Sequence, residues 1–380
     1  MRIYKPDRQK IKLIRAIRLC KTPALGGHVL ICKQCGSKKY IYHSCGHSQC
    51  PCCQSIKRIQ WQDKVSARML DVPYVHTTFT LPHELNGVAK KYPFMIYGLL
   101  MRCAWQTIKK LCRDEANVGA LPGMISVLHT FGSDIKYHVH VHTLITFGGL
   151  TKSGEWRWPK RKKKLASYRE MCSVFRAIFL KELSKLEKKG KINPDSYYQA
   201  VKGEVSQKRW VVNNQYPTAD SSLIENYLAR YINRVAISKN RFKYLSDQQK
   251  VAIIYNNYRA QKVNQAAPKS IKVLPPLVAL DHILQHVLPP SFQKARYYGL
   301  HAASTYRVIK DKIPDSLKRN KNTIRTLFQI LHQLLQLTPY RCEVCQSPDY
   351  AIYEIQPQKD WINTIIAIPK NKASPNVAGI

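Results

Sequence analysis

The chain has 380 residues, of which 62 are Lys or Arg and 23 are Asp or Glu, for a formal net charge of +39 at pH 7. That length exceeds what one core usually spans and implies two or three domains, and the charge goes well beyond what solubility needs, so it points to a polyanionic partner. No apolar run approaches the length of a membrane-spanning helix and the basic N-terminus lacks a signal-peptide apolar core, which reads as a soluble, intracellular protein without a membrane partner.

Residues 1–60 form a Cys/His-rich segment, opened by a basic stretch whose Ile11, Ile14 and Ile17 have helical spacing. Seven of the 12 cysteines lie between Cys20 and Cys53, interleaved with His28, His43 and His47. Such crowding favours metal over disulfides. Cys32-x2-Cys35 and Cys50-x2-Cys53 are paired thiolate knuckles, whose tight turns bring two sulfurs to one tetrahedral zinc. Cys20 and His28 complete a set with the first knuckle. Cys45 joins the second, leaving its fourth ligand open among His43, His47 and Cys52. One or two zinc ions are expected, structural rather than catalytic, because nothing suggests an open coordination position.

From about 72 to 150 the pattern is alternating and β-branched, in VPYVHTTFTL, GMISVLHTFGS and KYHVHVHTLITF, with a helical segment between the first two and a hairpin turn near Gly132 to Asp134. In Tyr137-His138-Val139-His140-Val141-His142 the imidazoles share one face of a strand and the valines the other. Alternate residues are about 7 Å apart, so neighbouring histidines can converge on one ion while the outer two, about 13 Å apart, cannot. His140 and His142 are taken as the pair, with His129 on the preceding strand as candidate third ligand.

Next comes the basic aromatic loop WRWPKRKKKLASYR, then a helix to about Lys189 and a short strand at RWVVNNQ. Trp156, Arg157, Trp158, Lys160, Arg161, Lys162, Lys163 and Lys164 offer cations for phosphates and indoles for unpaired bases, against the plain alternative of a solvated basic loop. A further helix, capped by Ser221 or Ser222, carries ENYLARYINRVA, in which Tyr227 and Tyr231 lie four apart on one face. Taken alone, such a pair is far more often core packing than chemistry. Arg230 and Arg234 flank Tyr231 and could steady a phosphate. Interleaved strands and helices make the fold class α+β. Beyond 270, prolines and the stripe Ile324, Leu327, Phe328, Leu331, Leu334 and Leu335 suggest a mainly helical region, with core packing as the simple reading and a homodimer contact as the other. Cys342-x2-Cys345 is a lone knuckle, and the PNVAGI end is expected to fray.

The segments YLARYINRVAISKNRF and HTFGSDIKYHVHVHTLIT together resemble rolling-circle insertion-sequence transposases of the IS-ninety-one type, the two-tyrosine HUH class. The resemblance continues in CKTPALGGHVLICKQCG, YHSCGHSQCPCCQ, VPYVHTTFTLPHELN and LQHVLPPSFQKARYYGL, spanning most of residues 20–302. It implies a zinc-binding domain (1–60), an HUH nuclease domain with antiparallel sheet and helices (61–270) and a helical C-terminal region (271–380). It also implies a metal motif at His140 and His142, nucleophiles at Tyr227 and Tyr231, Mg²⁺ or Mn²⁺ at the catalytic site, and single-stranded transposon ends and target DNA as partners in the cytoplasm of a prokaryotic host, associated with its nucleoid. Family members often have His-Cys-Pro where this chain reads Gln49-Cys50-Pro51, which bears on the second zinc set. Two other readings compete. A zinc-dependent DNA-binding regulator leaves the histidines and tyrosines unexplained, and a water-using metallohydrolase would not need the tyrosines.

Overall fold

The computed structural model describes residues 7–220, 238–262, 265–318 and 341–357, with Ile224, Ala236 and Gln329 besides. The chain divides into two units, residues 1–57 with 325–380 and residues 58–324, the boundary falling within helix α2 (Gln54–Ser66).

In the first unit, helix α1 (Arg8–Leu19) starts where the Asp7 carboxylate accepts from the N–H groups of Gln9 and Lys10 at 2.9 and 3.0 Å, an N-cap that satisfies donors the helix cannot. Strands β1 (Gly27–Cys32) and β2 (Lys38–Tyr42) form an antiparallel hairpin. The third strand of this sheet, β13 (Tyr350–Ile355), comes from the other end of the chain and pairs with the free edge of β1.

The second unit is built on a five-stranded antiparallel sheet in the order β12-β4-β5-β3-β8: β3 (Tyr74–Thr80), β4 (Gly123–Phe131), β5 (Tyr137–Thr146), β8 (Val212–Asn214) and β12 (Ala295–Gly299). The turn joining β4 to β5 falls at residues 132–136, where the sequence predicts it. One face of this sheet presents Val75, Phe79, Met124, Leu128, Val139, Val141, Ile145 and Val212. Against it pack α4 (Pro93–Arg113) through Ile96, Leu99, Leu100, Cys103 and Ile108, and α5 (Tyr168–Lys188) through Phe175, Phe179 and Leu183. Ser167 and Glu170 close a reciprocal capping box at the start of α5. Two shorter helices, α3 (Asn86–Lys91) and α6 (Ser196–Gln207), add Val88, Val201 and Val205 to the same core.

The opposite face carries Tyr74, Ile125, Val127 and Leu144, in a separate buried cluster with Val65, Met69, Leu150, Leu300, Ile313 and Ile224. Leu150 sits in a two-stranded ribbon of β6 (Gly149–Leu150) and β7 (Trp156–Arg157), and helix α8 (Ala303–Ile309) follows Leu300. A second sheet, β9 (Phe242–Leu245), β10 (Lys250–Asn256) and β11 (Lys269–Leu274), packs Ile253 against Ile135 of the β4–β5 turn and Ala279 of α7 (Pro276–Leu284). Among the described residues no helix is long and apolar enough to cross a membrane.

Two strands lie beyond residue 270, where the sequence suggests helices. Strand β12 is five residues long at a sheet edge, too short for its alternation to stand out, and β13 finds its partner more than 300 residues upstream. The stripe from Ile324 to Leu335, the helix of Tyr227 and Tyr231 with Arg230 and Arg234, and the PNVAGI end lie outside the described residues, apart from Ile224, Ala236 and Gln329.

At the start of β4, Gly123 lies beneath the His301 ring, and a β-carbon there would come within 2.7 Å of it. His301 is buried, stacks on Tyr74 and shares a hydrogen bond with the Tyr74 hydroxyl at 3.2 Å. Burial pushes its pKa down to about 4. The unfolded chain therefore binds a proton at His301 that the folded chain refuses, so this group stabilises the fold above its ordinary pKa of about 6.5 and withdraws that stability as pH falls toward 4. We expect the urea midpoint to drop between pH 6.5 and 4, and a His301→Asn variant, less stable at neutral pH, to lose less over that window.

Candidate metal centre

The alternation of β5 points His138, His140 and His142 away from the face covered by α4 and α5, while Val139 and Val141 enter that core. Register then decides which other side chains join them. His140 lies opposite His129 of β4 and Thr80 of β3, and His142 opposite Val127 and Thr78. The β4–β5 register shifts between His129 and Phe131, so His129 sits at an irregularity of the kind that re-aims side chains beside functional sites.

His129, His140 and His142 bring their ligating nitrogens within 4.8 Å of one another. The Nε2 atoms of His140 and His142 are 3.1 Å apart. That separation suits neighbouring ligands of an ion about 2.1 Å from each, for which right-angled geometry requires about 3 Å. The other ring nitrogens explain why both Nε2 atoms are available. His140 Nδ1 faces the His138 carbonyl at 2.9 Å, and since a carbonyl can only accept, that nitrogen carries the proton and Nε2 keeps its lone pair. His142 Nδ1 lies 3.1 Å from the Thr78 hydroxyl and 3.1 Å from His76 Nε2, either of which can accept its proton and fix the same tautomer. His129 is buried, with its ring stacked on Phe131 and edge-on to both His140 and His142. His138 is exposed, so the group that could hold an ion comprises two of the three alternating histidines together with His129.

His76 and Thr78 are the members of this centre that the sequence reading missed. They sit on alternate positions of β3, on the histidine face, and the Thr78 hydroxyl is 3.2 Å from His76 Nε2. Burial pushes the pKa of His76 down to about 3, so the imidazole stays neutral and can accept from His142. The available signal was VHTTFT itself, in which polar residues alternate on a strand whose other face is core.

In the first unit the thiols group in fours, in a different partition from the expected one. Cys20, Cys45, Cys50 and Cys53 form one cluster, and Cys32, Cys35, Cys342 and Cys345 the other. His28 stands outside the group formed by the first knuckle. It lies on β1, with its ring edge-on to His43 at 5.1 Å, and Cys342 and Cys345 take the places that Cys20 and His28 were expected to fill. Cys20 instead stands with Cys45, Cys50 and Cys53, at the place left open for a fourth member of that set. Thiolate–zinc bonds of about 2.3 Å place tetrahedral sulfurs about 3.8 Å apart. Cys45 and Cys53 are 3.7 Å apart, against the roughly 2.05 Å of a disulfide. Burial pushes the Cys45 thiol up to about 11 when no cation is present, and the N–H groups of Cys345 and Val344 draw Cys342 down to about 6.

The basic loop is only partly open to a partner. Arg157 is held by both oxygens of Glu115, at 3.0 and 2.8 Å, and Arg161 by Glu170 at 3.0 Å. Trp156 is half-buried against the Leu150 cluster, whereas Trp158 is 52% exposed. Lys160, Lys162, Lys163 and Lys164 are exposed, and no carboxylate among the described residues pairs with them.

Comparison with known proteins agrees with this architecture. Residues 2–81 match a family model described as "Transposase zinc-binding domain", and residues 123–308 one described as "Putative transposase". A curated relative from Sinorhizobium fredii, "Putative transposase y4qJ", is 32% identical over 300 residues, covering 76% of this chain and 73% of its own length. The "Transposase for insertion sequence element IS801" of Pseudomonas savastanoi pv. phaseolicola is 25% identical over 349 residues, covering 88% of this chain and 82% of its own. No solved structure matches the chain. With a zinc-binding domain followed by a transposase region, and a relative at this identity along most of both chains, the protein belongs to the insertion-sequence transposases of the IS-ninety-one type, DNA-cleaving enzymes that carry a zinc-binding domain.

Proposed function

We propose that the protein nicks and rejoins single-stranded DNA through a 5′-phosphotyrosine intermediate, with Tyr227 and Tyr231 as nucleophiles and His129, His140 and His142 holding a divalent cation. The observation that carries this reading is the convergence of three imidazoles, two with Nε2 atoms 3.1 Å apart, on one face of the central sheet. Ile224, three residues before Tyr227, is buried in the same cluster as Val127 and Leu144, which share that face with the histidines. The chain at Ile224 is thus held against the histidine face.

A tyrosine phenol has an ordinary pKa near 10 and attacks a phosphodiester poorly without help. His129, His140 and His142 would hold a Mg²⁺ or Mn²⁺ ion, which would supply Lewis-acid polarisation of the scissile phosphate, and imidazole donors favour Mn²⁺ of the two. Attack by the phenolic oxygen forms a P–O bond to tyrosine and breaks the bond from phosphorus to the 3′ oxygen, which leaves with a proton as a free 3′-OH. The bond energy is kept in the phosphotyrosine, so rejoining needs no nucleotide cofactor. A second tyrosine lets one strand end stay attached while another is cut, as strand transfer between transposon and target requires.

Lys160, Lys162, Lys163 and Lys164, with the exposed Trp158, suit an unpaired strand, the cations following phosphates and the indole stacking on a base. Arg157 and Arg161 would first have to leave their carboxylates, so the lysines carry more of this contact. Arg230 and Arg234, flanking Tyr231 in sequence, would steady the phosphate beside the nucleophile.

Incubation with labelled single-stranded oligonucleotides from candidate ends and Mn²⁺ should give a denaturation-resistant covalent adduct that the Tyr227→Phe/Tyr231→Phe double variant loses. Cleavage that continues in that variant, releasing a 5′-phosphate and no adduct, would replace this reading with a water-using nuclease. His76→Ala should weaken Mn²⁺ binding by roughly 10- to 100-fold, and His76→Gln, which keeps an acceptor, should recover part of the loss. Affinity for single-stranded DNA should fall steeply with salt, by a slope of about 0.7 per phosphate neutralised on logarithmic axes, and a Lys160/Lys162/Lys163/Lys164→Ala variant should flatten that slope.

A further inference from the structure

Cys342 and Cys345 lie beyond both matched regions, which end at residues 81 and 308. Their turn nevertheless repeats that of Cys32 and Cys35 bond for bond. In Cys32-Lys33-Gln34-Cys35-Gly36-Ser37, the Gly36 N–H donates to the Cys32 carbonyl at 2.9 Å and the Cys32 N–H donates to the Ser37 carbonyl at 2.9 Å. In Cys342-Glu343-Val344-Cys345-Gln346-Ser347, Gln346 donates to Cys342 at 2.9 Å and Cys342 to Ser347 at 2.8 Å. The residue after each second cysteine is left-handed, Gly36 at φ +72° and Gln346 at φ +60°. A residue with a β-carbon seldom adopts that conformation, so the demand at Gln346 comes from the turn and not from the residue.

The two knuckles face each other with sulfurs crossed. Cys32 Sγ is 3.5 Å from Cys345 Sγ, and Cys35 Sγ is 3.5 Å from Cys342 Sγ. All four sulfurs lie within 4.8 Å of one another. These distances are far too long for disulfides and close to those of a tetrahedral tetrathiolate.

We infer that Cys32, Cys35, Cys342 and Cys345 hold a second zinc ion, distinct from that of Cys20, Cys45, Cys50 and Cys53, and that this ion clasps the C-terminal segment to the N-terminal unit. The contacts around it run in one register. From the knuckles, β1 and β13 pair continuously from Cys32–Tyr350 to Gly27–Ile355. Beside the cysteines, Lys33 N–H donates to the Asp349 carbonyl at 3.0 Å, and Lys39 pairs with Glu343.

The crossed cysteine pairs are separated by 313 and 307 residues, so closing this loop has a large entropic cost, and metal binding coupled to folding is a means of offsetting it. The N-terminal unit is then not a module that folds as soon as it is made. It is completed only when residue 345 is available, and a chain ending earlier keeps one zinc cluster and loses the other.

The test is the metal content of the full-length chain, purified under reducing conditions. Two thiolate-bound zinc ions per chain, counted apart from any ion at His129, His140 and His142, are expected for the wild type, one for Cys342→Ser/Cys345→Ser and one for Cys45→Ser/Cys53→Ser. Titration of the wild-type apoprotein with Co²⁺ needs no variant to fold, and should saturate at two equivalents with the absorption of tetrahedral thiolate sites. In the Cys342/Cys345 variant, hydrogen exchange should rise across 27–32 and 350–355 and stay unchanged across 137–146. Saturation of the thiolate absorption at one equivalent, two thiolate-bound zinc ions retained without Cys342 and Cys345, iron in place of zinc, or a mass deficit of paired thiol hydrogens would each overturn the clasp.

Discussion

The antiparallel pairing of β4 and β5 is the constraint on which the catalytic unit depends. Because a strand alternates its side chains, one register does two jobs. It drives Val139, Val141 and Leu128 into the core under α4 and α5, and it sets His140 opposite His129 on the other face. A slip by one residue would put imidazoles into the apolar layer and valines into the centre, so the burial that stabilises the sheet also enforces the geometry of the three-histidine group. The site is thereby rigid without any loop having to hold it.

Neighbouring strands refine what β5 begins. Strand β3 contributes no ligand to the three-histidine group, yet His76 and Thr78 set the orientation of His142 through its Nδ1, while the His138 carbonyl does the same for His140. Two side chains of β3 and one carbonyl of β5 therefore fix two tautomers, leaving both Nε2 lone pairs directed into common space. Such a pair is poorly matched to an empty pocket and well matched to a cation. The buried cluster around Val127 and Leu144 occupies the rest of that face and includes Ile224, which anchors the chain just before the tyrosine segment.

The first unit depends on a different principle. Its sheet has three short strands, and among its described residues the buried apolar side chains other than cysteines are few, namely Leu13, Ala24 and Leu30. A core that small stabilises little, which is the circumstance in which metal clusters take over the work of apolar burial. The duplicated knuckles show how this is arranged, with the same turn built once from a glycine and once against the preference of a glutamine.

What the sequence by itself determined is whatever depends on local pattern. The alternation of KYHVHVHTLITF gives a strand with histidines on one face, the Cys-x2-Cys spacing gives a knuckle, and the excess of Lys and Arg gives a polyanionic partner. The family resemblance added what no spacing could, the proposed roles of Tyr227 and Tyr231. Only the tertiary structure decided which knuckles face each other. The expected set of Cys20, His28, Cys32 and Cys35 joined neighbours in sequence, whereas the fold joins Cys32 and Cys35 to cysteines more than 300 residues away and sends Cys20 to Cys45, Cys50 and Cys53. The same holds for His76, whose place beside His142 is set by the β3–β5 register, and for β12, which completes the sheet from beyond its expected end. Local pattern is read from residues a few positions apart, but strand pairing and ligand sharing are choices among distant partners, made by the burial and coordination of the whole chain together.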